Sequence, residues 1–248
     1  MAPSTKEQVL GDFVHRAVAM PFAKPQALVI NSKGKMILRS TMSESPDGLE
    51  GETISFALDL ALTLLWEAMN EVSNSHDRRL RWKQPLERTL DPGGPWWSEG
   101  ARNYRNLTHS EQRWVRRRLE NNVTAIGNEL DSLAKRQNWQ WIWSEVPLPE
   151  WGVDMPQMKR ADLLVGATKK GSSYPQSVGY VIDLKVTGRE YVITREYQEQ
   201  LWIYRERLER MGMTPEGGLR LGVLFVDSAA QRPPGSRRSV LFKALSRS

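Results

Sequence analysis

The sequence predicts an α/β fold, a mixed β-sheet flanked by helices. Three observations predict it. Residues 108–137 carry Val115, Leu119, Val123, Ile126, Leu130 and Leu133 in one stripe of a 3.6-residue period. Three β-rich runs follow, at 139–146, 160–167 and 178–186. A second stretch of helical spacing, 195–211, then leads into a buried strand at 219–226.

The elements can be justified in order. Residues 26–41 read as two short strands around a Ser-Lys-Gly turn. Residues 52–72 read as an apolar helix, with Ile54, Leu58, Ala61, Leu62, Leu65 and Met69 at helical spacing. Its apolar face is expected to be buried within the N-terminal region or, failing that, against a partner or a second copy. A loop-like stretch runs from Asn74 to about Leu107, with Asp-Pro-Gly-Gly-Pro at 91–95 and the adjacent Trp96 and Trp97. It marks a boundary between an accessory α+β region, 1–107, and a principal domain, 108–248, which ends in a basic tail. Thr108 or Ser110 caps the long helix, with Glu111 in its first turn. Trp139, Trp141 and Trp143 alternate, so one strand face is expected to pack them in the core. Residues 167–177, rich in Lys, Gly and Ser, join two strands as a hairpin. Tyr197, Leu201, Tyr204 and Leu208 mark the apolar face of the second helix.

Composition removes several function classes. The chain has 248 residues, 40% of them hydrophobic, enough for a sizeable core. There is no cysteine, which excludes disulfides, thiol nucleophiles, zinc–thiolate sites and iron–sulfur clusters. Histidines occur only at positions 15, 76 and 109, so a histidine-built metal site is not expected. A metal would rest on oxygen ligands, favouring magnesium or manganese. No long uncharged apolar run suggests a membrane span, and the N-terminus lacks the order of a secretory signal; a cytoplasmic location is expected.

The formal net charge is +6, unevenly distributed. Residues 77–118 hold eleven Lys and Arg against five Asp and Glu. Residues 228–248 hold five basic residues and no acidic one, which leaves the remainder at −5. Two basic segments on a mildly acidic body suit a phosphate-backbone partner. Arg116 and Arg117 are candidates to line a phosphate path, and Trp96, Trp97 and Trp114 to stack on bases. The competing reading is an ordinary solvated helix face.

Two strands place acids inside apolar runs, at Ala161-Asp162-Leu163-Leu164-Val165 and Val181-Ile182-Asp183-Leu184-Lys185-Val186. A carboxylate there is costly to bury unless paired or bound to a cation. Asp183 and Lys185 are two apart and share a strand face. In a hairpin, Asp162 approaches that face, and two close carboxylates need a cation to stay ionised together. Glu129, at the border of the helix's buried stripe, is the candidate third acid, with Glu145 its competitor.

The order Glu129, Asp162, Asp183-Leu184-Lys185 resembles the PD-(D/E)xK nuclease superfamily. Gln200-Leu201-Trp202-Ile203-Tyr204 on the next helix resembles the QxxxY motif of its RecB-like branch. The resemblance covers about residues 110–227. It implies a restriction-endonuclease-like core and a magnesium- or manganese-dependent phosphodiesterase. Glu129, Asp162, Asp183 and the Leu184 backbone carbonyl would bind metal, and Lys185 would assist the attacking water. Gln200 would position the nucleic acid or the site strand, with Tyr204 supporting it. Two departures stand out: Ala161 replaces the motif proline, and the turns before Glu129 carry Asn121, Asn122 and Thr124 where RecB-like members often have a histidine.

The function so implied is hydrolysis of DNA, in a bacterial or phage setting such as defence or recombination. The alternatives are a nucleic-acid-binding module that keeps the fold without turnover, and an RNA-directed nuclease working with a partner protein. No helix-turn-helix or zinc reader motif is visible, so a partner protein would supply target selection.

Overall fold

Helix formation in this chain starts from two N-terminal caps of the same design. Thr5 caps helix α1 (Lys6–Ala19) and Thr108 caps helix α2 (His109–Gln137). In each, the threonine side chain accepts from the third helical residue, and that residue, Gln8 or Glu111, reaches back to the threonine N–H. Helix α2 ends at Asn138, in the left-handed conformation that asparagine tolerates (φ 52°). The third helix, α3 (Arg195–Arg210), is capped by Thr194.

The structure is a computed structural model that describes residues 5–22, 26–30, 36–40, 54, 57–59, 61–62, 65, 103–149, 159–168, 177–188, 191–228 and 240–245. Its strands are β1 (Gln26–Ile30), β2 (Met36–Ser40), β3 (Trp139–Leu148), β4 (Lys159–Thr168), β5 (Ser177–Thr187), β6 (Leu219–Asp227) and β7 (Val240–Ala244). They form one mixed seven-stranded sheet in the order β2-β1-β3-β4-β5-β6-β7. Strands β4 and β5 pair antiparallel, as the hairpin reading expects, whereas β6 returns parallel to β5 after α3. Among the described residues no helix is long and apolar enough to cross a membrane.

Two cores lie on opposite faces of the sheet. One joins α1 and α2 to Val178, Tyr180, Ile182 and Leu184 of β5. The other joins Leu201, Tyr204 and Leu208 of α3 to Val181 of β5 and to Leu221, Val223 and Phe225 of β6. The strict alternation along β5 therefore points Asp183 and Lys185 toward the α3 face.

The expected boundary near residue 107 does not isolate the described part of the accessory region. Strand β1 pairs with β3, and α1 packs on α2. Ile54, Ala57, Leu58, Ala61, Leu62 and Leu65 are buried in the same core as α1 and α2. These residues of the expected 52–72 helix are thus covered from within the chain. Most of the loop at 74–107, with Trp96 and Trp97, lies outside the described residues, as does 229–239 of the basic tail.

Helix α1 and strand β7 go beyond the sequence reading, and the tryptophans depart from it. The pairing of β3 with β4 shifts register between Trp139 and Trp141. Trp139 is consequently buried on the α1–α2 side, while Trp141 and Trp143 pack toward the α3 side. A bulge adds one residue and turns alternate side chains to the other face.

The Trp141 indole lies against Gly166, where an added Cβ would stand 2.1 Å from its Nε1. Gly166→Ala is expected to cost about 1–3 kcal/mol of stability by overpacking. In urea unfolding, the double variant Gly166→Ala/Trp141→Ala should lose less than the sum of the single losses. Strictly additive losses would show that the indole does not set the requirement for glycine.

Candidate functional site

The ladder between β4 and β5 runs from Thr168↔Ser177 to Leu163↔Ile182 and stops there. The next rung would pair Asp162 with Asp183. Instead the Asp162 side chain takes over, its Oδ2 accepting from the Leu184 N–H at 2.6 Å. In an extended strand, a residue's N–H and C=O leave on the same side. The Leu184 carbonyl therefore also lies toward β4, at the point where the two strands part.

On the α3 side of this gap, four side chains form one connected set. Lys185 Nζ stands 3.0 Å from Asp183 Oδ2 and donates to Gln200 Oε1 at 3.1 Å. Gln200 Nε2 donates to Asp183 Oδ1 at 3.2 Å and also to the Tyr204 hydroxyl. The four-residue spacing of Gln200 and Tyr204 on α3 makes this possible. Lys185 Nζ also lies 5.1 Å over the Tyr197 ring.

From the other side comes His15 of α1. Its Nδ1 is 3.5 Å from Asp162 Oδ1. Helix α1 is held there by its packing on α2 and by the Ser144 hydroxyl, which donates to the Ala19 carbonyl at 2.7 Å.

Glu145 of β3 faces the same place. It stands opposite Asp162 in the β3–β4 register, between the pairs Ser144↔Leu163 and Val146↔Ala161. Its backbone is left-handed, with φ 51°, unusual for a residue other than glycine or asparagine. Its carboxylate pairs with Arg160 at 3.7 Å.

The electrostatics follow from three acids sharing one small volume. Burial, and then the charge of Asp162, push Asp183 up to about 7. Burial and Asp162 likewise raise Glu145. Asp162 goes the other way: burial alone would raise it, but the charge and hydrogen bond of His15 and the Leu184 N–H hold it low. His15 is raised, because the Asp162 carboxylate outweighs its burial. Burial pushes the Tyr204 hydroxyl up to about 12, so it stays protonated.

Whether a cation fits here can be judged from the donors. Asp183 is 1% exposed, and its buried Oδ2 receives no hydrogen bond. The neighbour of that oxygen is the Lys185 ammonium at 3.0 Å, whose charge compensates it. The local donors, carboxylates with one imidazole and one carbonyl, suit magnesium or manganese. Among the described residues no three His, Asp or Glu side chains already converge as a preformed metal cage.

The structure brings together Asp162, Asp183, Lys185, Gln200 and Tyr204, and it adds His15 and Glu145. It does not bring Glu129 to them. Helix α2 covers the sheet face opposite Asp183 and Lys185, and the Glu129 carboxylate pairs with Arg136 at 3.5 Å. The third acid at the site is Glu145, the competitor. One histidine does stand beside the site, since His15 reaches Asp162 from α1 and not from the helix that carries Glu129. The signal for it was present: the Thr5–Gln8 capping box, with Val9, Leu10, Phe13, Val14 and Ala17 at helical spacing. Arg116 and Arg117 are both exposed, and the Arg116 Nε donates to the Tyr104 hydroxyl at 3.0 Å.

Asp183 also sets a pH dependence. In the unfolded chain it ionises near 3.8, and in the folded chain only near about 7. The folded state then holds the extra proton, so stability falls as pH rises through that window and the loss is complete above it. In EDTA, Asp183→Asn is expected to be more stable than the parent chain at pH 8, on the order of 2 kcal/mol, with a much smaller difference at pH 4. Equal differences at both pH values would remove Asp183 as the cause. Comparisons with protein-family models and with curated proteins find no match to this chain.

Proposed function

We propose that the chain is a divalent-metal-dependent nuclease of the PD-(D/E)xK type, with a restriction-endonuclease-like core, that hydrolyses phosphodiester bonds, in DNA by preference. One observation carries this reading. At the gap between β4 and β5, Asp162, Asp183 and Lys185 meet, with Gln200 bonded to both members of the Asp183–Lys185 pair. These are residues of the motif resemblance, which also called for Glu129, a residue that lies apart from them.

The residues able to hold the cation are Asp162, Asp183, His15 and the carbonyl of Leu184, with Glu145 alongside. When bound, magnesium or manganese supplies Lewis-acid polarisation of the phosphate and lowers the pKa of the attacking water. The protein's own groups do the rest. Hydrolysis joins a water oxygen to phosphorus and breaks one phosphorus–oxygen ester bond, and negative charge builds on the phosphate oxygens. Lys185 presents its ammonium to that charge from a fixed position, held by Asp183 and Gln200. Gln200 locks the pair, donating to one partner and accepting from the other. Tyr204 accepts from Gln200 and, staying protonated, keeps its own proton available. His15 and the Leu184 N–H keep Asp162 ionised at neutral pH.

The test is cleavage of labelled single- and double-stranded DNA and RNA with magnesium, manganese or EDTA. Cutting is expected with either metal and not in EDTA. Lys185→Ala should lower the rate by about 10²–10³-fold, the range for removing one fixed donor to a transition state. Asp162→Ala and Asp183→Ala should abolish cutting, and His15→Ala should weaken the response to metal. Glu129→Gln should stay within a few-fold of the parent. Binding of nucleic acid without cutting of any substrate would replace the enzyme by a binding module.

Glu145 separates function from stability. Its left-handed backbone costs about 1 kcal/mol in a non-glycine residue, and its carboxylate is raised by burial. Glu145→Gly is therefore expected to keep or raise the melting temperature while lowering cleavage. A lower melting temperature with parental activity would make Glu145 a structural residue.

A further inference from the structure

Helix α2 runs antiparallel to β5, and two hydrogen bonds fix how far it reaches. Near its C-terminus, the Gln137 side chain accepts from the Tyr180 hydroxyl at 2.8 Å. One residue short of its midpoint, Asn122 Nδ2 donates to the Asp227 carbonyl at 3.3 Å, and Asp227 stands beside Thr187, the last residue of β5. Everything before Asn122 therefore extends past the end of the sheet that carries Asp183 and Lys185. At 1.5 Å per residue, Arg117 and Arg113 stand about 8 and 14 Å beyond Asn122 along the helix axis.

This overhanging part of α2 is basic and largely unneutralised. Arg113 and Arg117 are exposed and four apart, so they share a face; Arg118 is half-buried beside them, and the exposed Arg105 precedes the helix. Among the described residues no carboxylate pairs with Arg113, Arg117 or Arg118. The nearby Glu111 is engaged by the Thr108 N–H and hydroxyl in the cap. Arg116, between them, is turned to Tyr104 and takes no part. On α3, by contrast, three arginines are matched within the helix: Arg195 with Glu199, Arg205 with Glu209 and Arg210 with Glu206. The same chain neutralises its arginines on one helix and leaves them open on the other, at the end where the candidate site lies.

We infer that Arg105, Arg113, Arg117 and Arg118 form a track for the phosphodiester backbone of the nucleic-acid strand, on the α2 side of the sheet and beyond its end. The inference rests on the nuclease reading for the identity of the strand. Guanidinium groups suit phosphate oxygens, and a row of them binds without reading sequence. The track lies outside the acidic cluster, so it governs binding of a long strand and leaves the chemistry at one phosphodiester untouched.

The experiment compares two substrates in the parent chain and in the variant Arg113→Gln/Arg117→Gln/Arg118→Gln. One is the small diester bis(p-nitrophenyl) phosphate with manganese. The other is a fluorescent 20-nucleotide strand, whose binding is followed by anisotropy in calcium between about 50 and 200 mM salt. The variant should hydrolyse the small diester within about two-fold of the parent. Its strand affinity should fall at least about ten-fold, and the slope of log affinity against log salt should shrink by about two, given the loss of two to three phosphate contacts. The control Arg205→Gln/Arg210→Gln, which removes charge from α3, should leave both affinity and slope near the parent's. Unchanged affinity and slope in the α2 variant would overturn the track, as would an equal loss in the control. Small-diester hydrolysis tests the site separately: a parent that binds the strand through these arginines but cleaves neither substrate keeps the track and loses the nuclease reading.

Discussion

The structure around this site depends on a single rung where two carboxylates would meet across a strand pair. Asp162 and Asp183 fall opposite each other in the β4–β5 register, and two acids there cannot both ionise in a regular ladder without a compensating charge. The fold separates them in kind. Asp162 turns into the gap, takes the Leu184 N–H and faces His15, so it holds its charge. Asp183 stays buried beside Lys185 and is pushed toward neutrality. Helix α1 is required for the first arrangement and α3 for the second.

Much of this was legible because the residues involved obey local rules. Strand β5 alternates without interruption, so Val181, Asp183 and Lys185 share the α3 face as their spacing requires. Helix α3 carries Gln200 and Tyr204 one turn apart, and α2 begins at the cap that Thr108 and Glu111 announce. Short-range periodicity fixes which face a side chain leaves from, and the motif resemblance joined Gln200 and Tyr204 to the Asp183–Lys185 pair.

What escaped depended on contacts between distant segments or on broken periodicity. His15 lies 147 positions before Asp162 in the chain, and nothing in its own helix announces that partner. Glu129 satisfied the helical wheel, but the wheel cannot say which face of the sheet its helix will cover; α2 took the face away from Asp183. The tryptophans were assigned to one face because period two was assumed through Trp139, and the register shift at that residue reversed it. Residues 26–40 read correctly as two strands but could not reveal that they extend the same sheet through β3.

Among the described residues, the rung of Glu145, Asp162 and Asp183 concentrates departures that are scattered elsewhere. Ladder pairing ends there on the β5 side, and Glu145 adopts a left-handed backbone on the β3 side. In β3, Ile142 belongs to the α1–α2 core while Val146 belongs to the α3 core, although residues four apart in a regular strand share a face. In β4, Leu163 and Ala161 are divided in the same way across Asp162. Asp183 is buried at that rung as well, with the Lys185 ammonium beside it. An ion-pair network selected for stability would satisfy its atoms and leave its strands regular, as the matched arginines and glutamates on α3 do. Strain and lost pairing at one place instead accord with the proposed reading of a site held ready for something it binds, since real proteins break these rules mainly where function requires it.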